Sequence, residues 1–224
     1  MRIVLRIGGS VVGSPINPKL IGKYANLLIK IKEQGHQVVA VVGGGGVARE
    51  FINAAKNLEI NEKGQDEIAI AASRLFAQLF IKKLGEKGCI NMPVTEEQVC
   101  NCLNDEKIVV MGGLRPGMTT DSVAALIAEK LKANMIVKGT DQEGVYNKDP
   151  RKHEDAIMLE HISVSKLYEI LPENKHIAGI HQVIDPEAAK ILNRYKVKMI
   201  VVNGFKPENV LAAINGKRVG TVID

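Results

Sequence analysis

Three glycine-bearing segments of the sequence are suited to binding phosphate. They are Gly8-Gly9-Ser10, the run 43–46, and a longer segment from Gly112 to Thr120. Each follows an apolar run and precedes a pattern typical of a helix. A helix N-terminus offers free N–H groups and a partial positive charge, and glycine lets an anion approach the backbone closely. One such glycine can simply make a turn, but three segments together favour a site for several phosphates.

Two known phosphate-binding signatures can be compared with these segments. The pattern GxxxxGK followed by Ser or Thr is absent, which argues against a P-loop enzyme. The dinucleotide pattern GxGxxG/A is matched by Gly43, Gly45 and Ala48, with Asp66 further along the chain. That pattern belongs to the first strand-to-helix turn, whereas here it follows the second predicted strand. A dinucleotide-dependent oxidoreductase is therefore the weaker alternative.

Arg49 is a basic residue that is hard to explain by structure alone. It lies in the first turn of a helix predicted from about Val47 to Asn57. A cation near a helix N-terminus is opposed by the helix dipole unless an anion binds there. Arg49 is therefore a candidate phosphate ligand.

The elements that must position these residues alternate between strands and helices. Apolar runs predict strands at 3–7, 38–42, 108–111, 135–137, 199–202 and 220–223. Apolar residues with a 3.6-residue period, together with capping residues, predict helices at about 18–34, 47–57, 66–84, 95–98 and 120–132, and further helices after Ser163 and from Asp185. This order predicts an α/β fold, a three-layer αβα sandwich around a mostly parallel sheet. Ligands bind beyond the carboxyl ends of such strands. The stretch 171–184 is predicted to be a mobile loop.

The helix predicted over 18–34 has the clearest boundaries. Asn17 can cap it, Pro18 suits the first helical position, and Gly35 can end it.

Composition limits the class of protein. The 224 residues, 46% of them hydrophobic, suit one large domain. With 30 Lys and Arg scattered among 25 Asp and Glu, the net charge of +5 does not indicate a nucleic-acid partner. The N-terminal apolar stretch is too short for a signal peptide, and no 18-residue apolar run occurs, so we expect a soluble cytoplasmic protein that binds no membrane.

The three cysteines are not expected to form a disulfide framework. Cys89 is predicted to lie in the core. Cys100 and Cys102 are two residues apart on a predicted helix and face different directions, which argues against a metal site.

The whole chain resembles the amino acid kinase family, and within it the uridylate kinases of the archaeal type. The resemblance is carried by IGGSV at 7–11, VVGGGGVAR at 41–49, GGLRPGMTTDSVAALIAE at 112–129, GVYNKDPR at 144–151 and IDPEAAKIL at 184–192. The third segment is the most discriminating, because its PG-x-TTD loop and Ala-rich helix look like the nucleoside monophosphate site of uridylate kinases. The resemblance implies transfer of the γ-phosphoryl group of MgATP to UMP, with Mg²⁺ held mainly by the phosphates of ATP.

The resemblance also assigns ligand-binding residues. It places ATP at Gly9, Ser10, Gly45, Arg49, Thr140, Tyr146 and Asp149. It places UMP at Gly44, Asp66, Leu114, Arg115, Pro116, Gly117, Met118, Thr119 and Thr120. A carboxylate such as Asp66 can accept hydrogen bonds from ribose hydroxyls, and the Thr120 hydroxyl can reach the acceptor phosphate. Asp66 can equally cap its helix, and the two roles are compatible.

Arg6, Arg49, Asp121 and Asp185 are the candidate catalytic residues. The two arginines can neutralise charge on the transferred group, and the two acids can organise the centre. Each acid can also be read as an ordinary N-terminal helix acid, favoured by the dipole.

The first strand departs from the family pattern at Arg6. Much of the family has Lys there, directed at the transferred phosphoryl group. Arg6 keeps the charge without the compact ammonium, so Arg6 or Lys138 can fill that role. A smaller departure is Glu143, where relatives usually have Asp. The change at Arg6 leaves open a non-catalytic nucleotide sensor of the same fold, and another kinase of the family with a small carboxylate or phosphate acceptor is a further alternative.

The resemblance implies that the two parts of the chain bind different nucleotides and that the protein forms an oligomer. Residues about 1–135 would bind UMP and mediate oligomerisation, and residues about 136–224 would bind ATP. The helix predicted over 66–84 is apolar around much of its circumference, which suits coverage by the core and by a partner subunit. A homohexamer built of dimers is the implied assembly.

Overall fold

The computed structural model of the chain describes residues 1–170 and 184–224. Within these residues the strands are β1 Arg2–Ile7, β2 Gln37–Val42, β3 Val109–Met111, β4 Met135–Thr140, β5 Val145–Tyr146, β6 Met158–Leu159, β7 His161–Ile162, β8 Lys198–Asn203 and β9 Thr221–Ile223. The loop predicted over 171–184 lies, except for Ile184, outside the described residues.

The helices lie between these strands. They are α1 Gly9–Val12, α2 Pro18–Glu33, α3 Gly45–Asn57, α4 Glu62–Leu84, α5 Glu96–Asn104, α6 Thr120–Leu131, α7 Val164–Ile170, α8 Pro186–Tyr195 and α9 Pro207–Ile214, with a 3-10 turn at Gly85–Lys87. The helix α9 and the short strands β5, β6 and β7 were not predicted from the sequence.

Seven strands form the central sheet in the order β3-β2-β1-β4-β8-β9-β7. Strands β3, β2, β1, β4 and β8 are parallel to one another, β9 is antiparallel to β8, and β7 is parallel to β9. The carboxyl ends of the five parallel strands therefore meet at one edge. The three glycine segments follow β1, β2 and β3, so this edge brings them together.

Two apolar clusters cover the two faces of the sheet. Alternate residues of β1 divide between them: Val4 packs on one face with α5, α6, α7 and α8, and Leu5 packs on the other with α2, α4 and α9. Both side chains are fully buried. The predicted αβα sandwich is confirmed, and the absence of polar alternation in β1 and β2 reflects burial on both faces.

Helix α2 begins and ends as predicted. The Asn17 side chain accepts a hydrogen bond from the Leu20 N–H at 3.0 Å, Pro18 occupies the first turn, and Gly35 has a φ of +79°. Inside the helix, Tyr24 is fully buried, and its hydroxyl donates to the Gly204 carbonyl at 2.7 Å. Burial raises the pKa of Tyr24 far above its ordinary value.

Helix α4 begins earlier than predicted. The side chain of Asn61 accepts from the Gly64 N–H at 2.9 Å, so Asn61 is the N-cap. Asp66 consequently lies within the second turn, and its interpretation as a helix cap was wrong. Asn61 caps the N-terminus of α4, so the Asp66 carboxylate is not needed for capping.

The described residues contain one disulfide, which was not predicted from the sequence. Cys89 and Cys102 are bonded, with their Cα atoms 5.8 Å apart, and Cys100 is the free cysteine. Residues 100 and 102 are two positions apart on a helix, so their side chains point in different directions. Cys102 is buried in the core cluster that also contains Cys89, whereas Cys100 is only partly buried against that cluster. Within residues 1–170 and 184–224, no helix has the length and apolar character of a membrane span.

Candidate active site

The first two glycine segments are packed directly against each other. A Cβ atom added to Gly9 would overlap the backbone of Gly45, and one added to Gly45 would overlap the backbone of Gly9. Gly45 also has a φ of +60°. Glycine is therefore required at both positions, because any side chain would force the two loops apart.

The neighbouring strands fix where these loops lie. The Gly8 N–H donates to the Gly139 carbonyl at 2.9 Å, and the Gly204 N–H donates to the Thr140 carbonyl at 2.7 Å. Gly139 has room only for hydrogen, since an added Cβ would lie 2.9 Å from the Tyr24 hydroxyl. Tyr24 thus supports, from the core, the same loops that meet at the sheet edge.

A cleft of about 940 Å³ opens at this edge. It is lined by many of the residues predicted to bind ATP or act in catalysis: Arg6, Gly9, Ser10, Gly45, Arg49, Asp121 and Thr140. It is also lined by residues predicted to bind UMP: Gly44, Asp66, Gly117, Met118, Thr119 and Thr120. One cleft therefore joins the two predicted nucleotide sites.

Three charged side chains form a cluster in the wall of this cleft. Arg6 on β1 and Lys138 on β4 are opposite each other in the parallel register. Arg6 Nε lies 2.7 Å from Asp121 Oδ1, and Lys138 Nζ lies 2.6 Å from Asp121 Oδ2. The Arg6 contact is an ion pair without the angular geometry of a hydrogen bond. Two cations sharing one carboxylate leave the cluster with a positive charge at the cleft.

Burial and charge act on the cluster in opposite directions. Burial alone would raise the pKa of the Asp121 carboxyl, but Lys138 and Arg6 together bring this pKa below its ordinary value. For Lys138, burial lowers the pKa of the ammonium and Arg6 lowers it further, whereas Asp121 opposes both effects. Asp121 is therefore ionised at neutral pH and is more than an ordinary N-terminal helix acid.

Arg6 also reaches the segment that was predicted to bind the acceptor. Its NH2 group donates to Thr120 Oγ1 at 2.9 Å. Because the Thr120 oxygen accepts this bond, its own O–H hydrogen stays available to donate. Arg6 thus connects the charge cluster to the acceptor segment. Arg49 is exposed at the cleft and forms no ion pair or side-chain hydrogen bond with another described residue.

Helix α4 holds the acceptor loop, residues 112–119, from one side. Asp66 Oδ2 accepts from the Gly117 N–H at 2.7 Å, and Ser73 Oγ accepts from the Gly113 N–H at 2.8 Å. Arg74 donates to the carbonyls of Gly113 and Leu114, both at 3.0 Å. Asp66 therefore already holds the loop through Gly117.

Asp185 caps helix α8 and joins it to helix α6. Its Oδ1 atom accepts from the N–H groups of Glu187 and Ala188 at 2.9 and 3.0 Å, and from the Ser122 hydroxyl at 2.7 Å. Its Oδ2 atom accepts from the hydroxyl of Thr119, which itself caps α6. Asp185 is not among the described residues that line the cleft. Asp185 therefore contacts the end of the acceptor loop and the start of α6 without lining the cleft.

Some predicted ligands lie beside the cleft instead of in its wall. Leu114, Arg115, Pro116, Tyr146 and Asp149 are not among its described lining residues. Asp149 is 3% exposed and accepts hydrogen bonds from the backbone and side chain of Arg151, and Arg151 does line the cleft. Asp149 thus orients a cation at the cleft.

Several residues at the site were missed from the sequence. Ser73, Asp141 and Arg151 line the cleft, and Arg74 holds the acceptor loop. Arg151 lies inside the segment GVYNKDPR, which was the available signal. Ser73 and Arg74 lie in mid-helix, where a serine and an arginine carry no distinctive pattern.

The carboxylates at the cleft bear on metal binding. Within residues 1–170 and 184–224, no group of three or more His, Cys, Asp or Glu is arranged to hold a metal ion. Asp66, Asp121 and Asp141 are the acids among the described residues that line the cleft. One or two carboxylates combined with substrate phosphates is the usual donor set for Mg²⁺ in phosphoryl transfer. The residues present fit a nucleotide-borne Mg²⁺.

Comparison with known proteins agrees with this geometry. The family model described as "Amino acid kinase family" matches residues 1–203. A uridylate kinase of Methanocaldococcus jannaschii is 43% identical over the full length of both chains, and one of Methanococcus maripaludis strain C7 is 42% identical over 100% of this chain and 99% of the relative. The crystal structure of uridylate kinase from Archaeoglobus fulgidus is similar with a TM-score of 0.89, 38% identity and full coverage of both chains.

A more distant structure shares the fold alone. The UMP kinase of Bacillus anthracis is 21% identical and has a TM-score of 0.84, covering 100% of this chain and 95% of its own. The matched family model spans most of the sequence, and the glycine loops and the Asp121 cluster lie within the matched residues. The chain belongs to the amino acid kinase family.

Proposed function

We propose that the protein is a UMP kinase, which transfers the γ-phosphoryl group of MgATP to UMP and yields ADP and UDP. One observation carries the proposal: a single cleft is lined by glycine loops suited to ATP phosphates and by the acceptor loop, with a cationic cluster between them. The full-length similarity to archaeal uridylate kinases supports UMP as the acceptor.

The chemistry requires alignment and charge neutralisation. A phosphate oxygen of UMP attacks the γ-phosphorus of ATP, and the bond from that phosphorus to the β–γ bridging oxygen breaks as ADP leaves. The attacking oxygen is already ionised, so no general base is needed. The transition state spreads negative charge over the transferred group, and preorganised cations stabilise that charge. Arg6, Lys138 and Arg49 are the described cations at the cleft that we assign to this role.

Asp121 organises two of these cations. Because each of its oxygens binds one of them, Arg6 and Lys138 are held in place before substrates arrive. Such preorganisation avoids a reorganisation cost during the reaction. Mg²⁺, carried by the phosphates of ATP, would supply further Lewis-acid stabilisation of the phosphoryl oxygens. Asp185 contributes as a positioning residue through Thr119 and Ser122.

We assign the two nucleotides to different parts of the chain. Residues about 1–135 contain Gly44, Asp66 and the acceptor loop and would bind UMP, whereas residues about 136–224 would bind the adenosine of ATP through Thr140, Tyr146 and Asp149. Gly9, Ser10, Gly45 and Arg49 would hold the ATP phosphates from the first part. Tyr146 and Asp149 lie beside the cleft, so their roles require an adenosine that extends past its rim.

We further infer self-association, with a homohexamer built of dimers as the assembly. The supporting observation is an apolar surface on α3 and α4, where Phe51, Leu58, Leu75 and Leu79 are between 44% and 72% exposed. Large exposed apolar patches mark interaction sites. We place the protein in the cytoplasm, where its nucleotide substrates are held.

The assignment is tested by acceptor selectivity. The protein is incubated with MgATP and, separately, UMP, CMP, acetylglutamate, glutamate, carbamate and isopentenyl phosphate, and ADP formation is followed. UMP is expected to give the highest kcat/KM. Faster turnover of a different acceptor would reassign the substrate, and calorimetric binding of UMP and ATP without UDP formation would favour a sensor.

A further inference from the structure

Arg74 makes an unusual pair of contacts with the acceptor loop. Its Nε and NH2 groups donate to two consecutive backbone carbonyls, those of Gly113 and Leu114, each at 3.0 Å. The neighbouring Ser73 Oγ accepts from the Gly113 N–H at 2.8 Å and donates to the Ile70 carbonyl at 2.8 Å. One turn of α4 therefore grips both polar groups of Gly113 and the next carbonyl.

These contacts fix the orientation of two peptide planes. A guanidinium is planar and presents its donors in a fixed fork. In a trans peptide the N–H points opposite to the C=O, so the N–H groups of Leu114 and Arg115 are directed away from Arg74. Neither N–H group has an acceptor in the described part of the chain. Both N–H groups belong to residues beside the cleft wall, so a ligand base that uses them extends past the lining residues Gly113 and Gly117.

The other end of the loop is fixed from the same helix. Asp66, two turns before Arg74 on α4, accepts from the Gly117 N–H at 2.7 Å. Gly117 has a φ of +78°, a conformation that favours glycine. Between these two anchors only Arg115 and Pro116 are unattached to α4. The loop is thus preset before an acceptor binds.

We propose that Arg74 is a positioning residue that presets the acceptor loop and thereby sets the preference for a pyrimidine with a carbonyl oxygen, and not an amino group, at position 4. This inference rests on the proposed function. Two fixed N–H donors suit the O4 carbonyl of uracil, which accepts hydrogen bonds. Cytosine has an amino group at the same position, and because an amino group also donates, it cannot pair with these N–H groups. A preset loop also avoids the ordering cost of binding.

The test compares Arg74→Ala and Arg74→Lys with the wild-type protein. Lys82→Ala is the matched control, because Lys82 is an exposed cation near the end of the same helix. Steady-state kinetics give KM for UMP and for ATP separately, and kcat/KM for UMP and CMP. Thermal unfolding checks that each variant is folded.

Arg74→Ala is expected to raise KM for UMP by about 10-fold, as for loss of charge-assisted hydrogen bonds, while KM for ATP changes less than about twofold. The ratio of kcat/KM for UMP over CMP should fall. For Arg74→Lys, KM for UMP should lie between the values of the wild type and Arg74→Ala, because an ammonium lacks the planar fork that binds two carbonyls. Lys82→Ala should match the wild type.

Three results would overturn the inference: equal changes in KM for both substrates, an unchanged KM for UMP in folded protein, or an unchanged ratio of kcat/KM for UMP over CMP. If Arg74→Ala does not fold, the same comparison is made with Arg74→Lys alone. Absence of UDP formation by the wild type would instead overturn the proposed function, so the two failures are distinguishable.

Discussion

Arg6 and Lys138 lie side by side on adjacent parallel strands, and each contacts a different oxygen of Asp121. Both cations line the cleft, so Arg6 and Lys138 both stay candidates for the role of the usual first-strand lysine. Arg6 differs in that it also donates to Thr120. The guanidinium can serve the carboxylate and the acceptor segment at once.

Two replacements of Arg6 distinguish the contribution of its positive charge to kcat from the contribution of its guanidinium shape. Arg6→Ala should lower kcat by about 10²–10³-fold, because one preorganised cation is lost. Arg6→Lys should be at least about 10-fold more active than Arg6→Ala, since an ammonium can still pair with Asp121 but not also hold Thr120. Steady-state rates at saturating MgATP and UMP measure both. An Arg6→Ala rate within about threefold of wild type would show that Lys138 suffices.

Asp121→Asn tests the cluster through stability. The variant leaves two buried cations without their carboxylate, and loss of one partner of a buried ion pair costs about 3–5 kcal/mol in the free energy of unfolding. Urea unfolding at neutral pH measures the difference. A loss below about 1 kcal/mol would mean that the cluster is well solvated.

The same variant should change the dependence of stability on pH. The folded pKa of Asp121 lies below its ordinary value of 3.8, so its stabilisation is fully present above that value. It is lost as pH falls through the lower, folded pKa. The gap between wild type and Asp121→Asn should therefore be constant from about pH 7 to 5 and narrow only below about pH 4. A gap that narrows near pH 6 would contradict the assigned direction.

Asp185 can be tested as a cap and positioning residue by two replacements. Asp185→Asn keeps an acceptor for the helix N–H groups and should cost less than about 0.5 kcal/mol, whereas Asp185→Ala should cost about 1–2 kcal/mol. If Asp185 acts through Thr119, Asp185→Ala should raise KM for UMP more than KM for ATP. A fall of kcat by more than about 100-fold in Asp185→Asn would instead indicate direct action of its charge at the reacting phosphates.

The disulfide gives a prediction that needs only thiol counting. In denaturant without reductant, one thiol per chain should react, that of Cys100, and after reduction three should react. Closing a loop of this length stabilises a protein by about 3 kcal/mol in the chain-entropy model. Reduction should therefore lower Tm. Three reactive thiols without reductant would contradict the bond.

The sequence predicted the layers and most of the elements because glycine, proline and apolar periodicity act locally. Asn17, Pro18 and Gly35 delimit α2 through contacts within a few residues. Helix α9 was missed because Lys206, the residue before Pro207, supplies no capping side chain. The start of α4 was placed late because its first turn has little apolar character.

The candidate site was predictable where it follows strand ends and unpredictable where it depends on register. The opposition of Arg6 and Lys138 requires the pairing of β1 with β4, which no local pattern encodes. Similarly, Ser73 and Arg74 contact residues about 40 positions away. Asp185 was recognised as important, but its contacts with Thr119 and Ser122, outside the lining of the cleft, emerge only in three dimensions.

The mutual contact of Gly9 and Gly45 has a consequence for how this protein can diversify. Each residue occupies the space that a methyl group on the other would need, so neither position can be relaxed by a change at its counterpart. A saturation library at the two codons should yield functional clones only with glycine at both. The nucleotide pocket can therefore be redesigned at its rim, but Gly9 and Gly45 must both stay glycine.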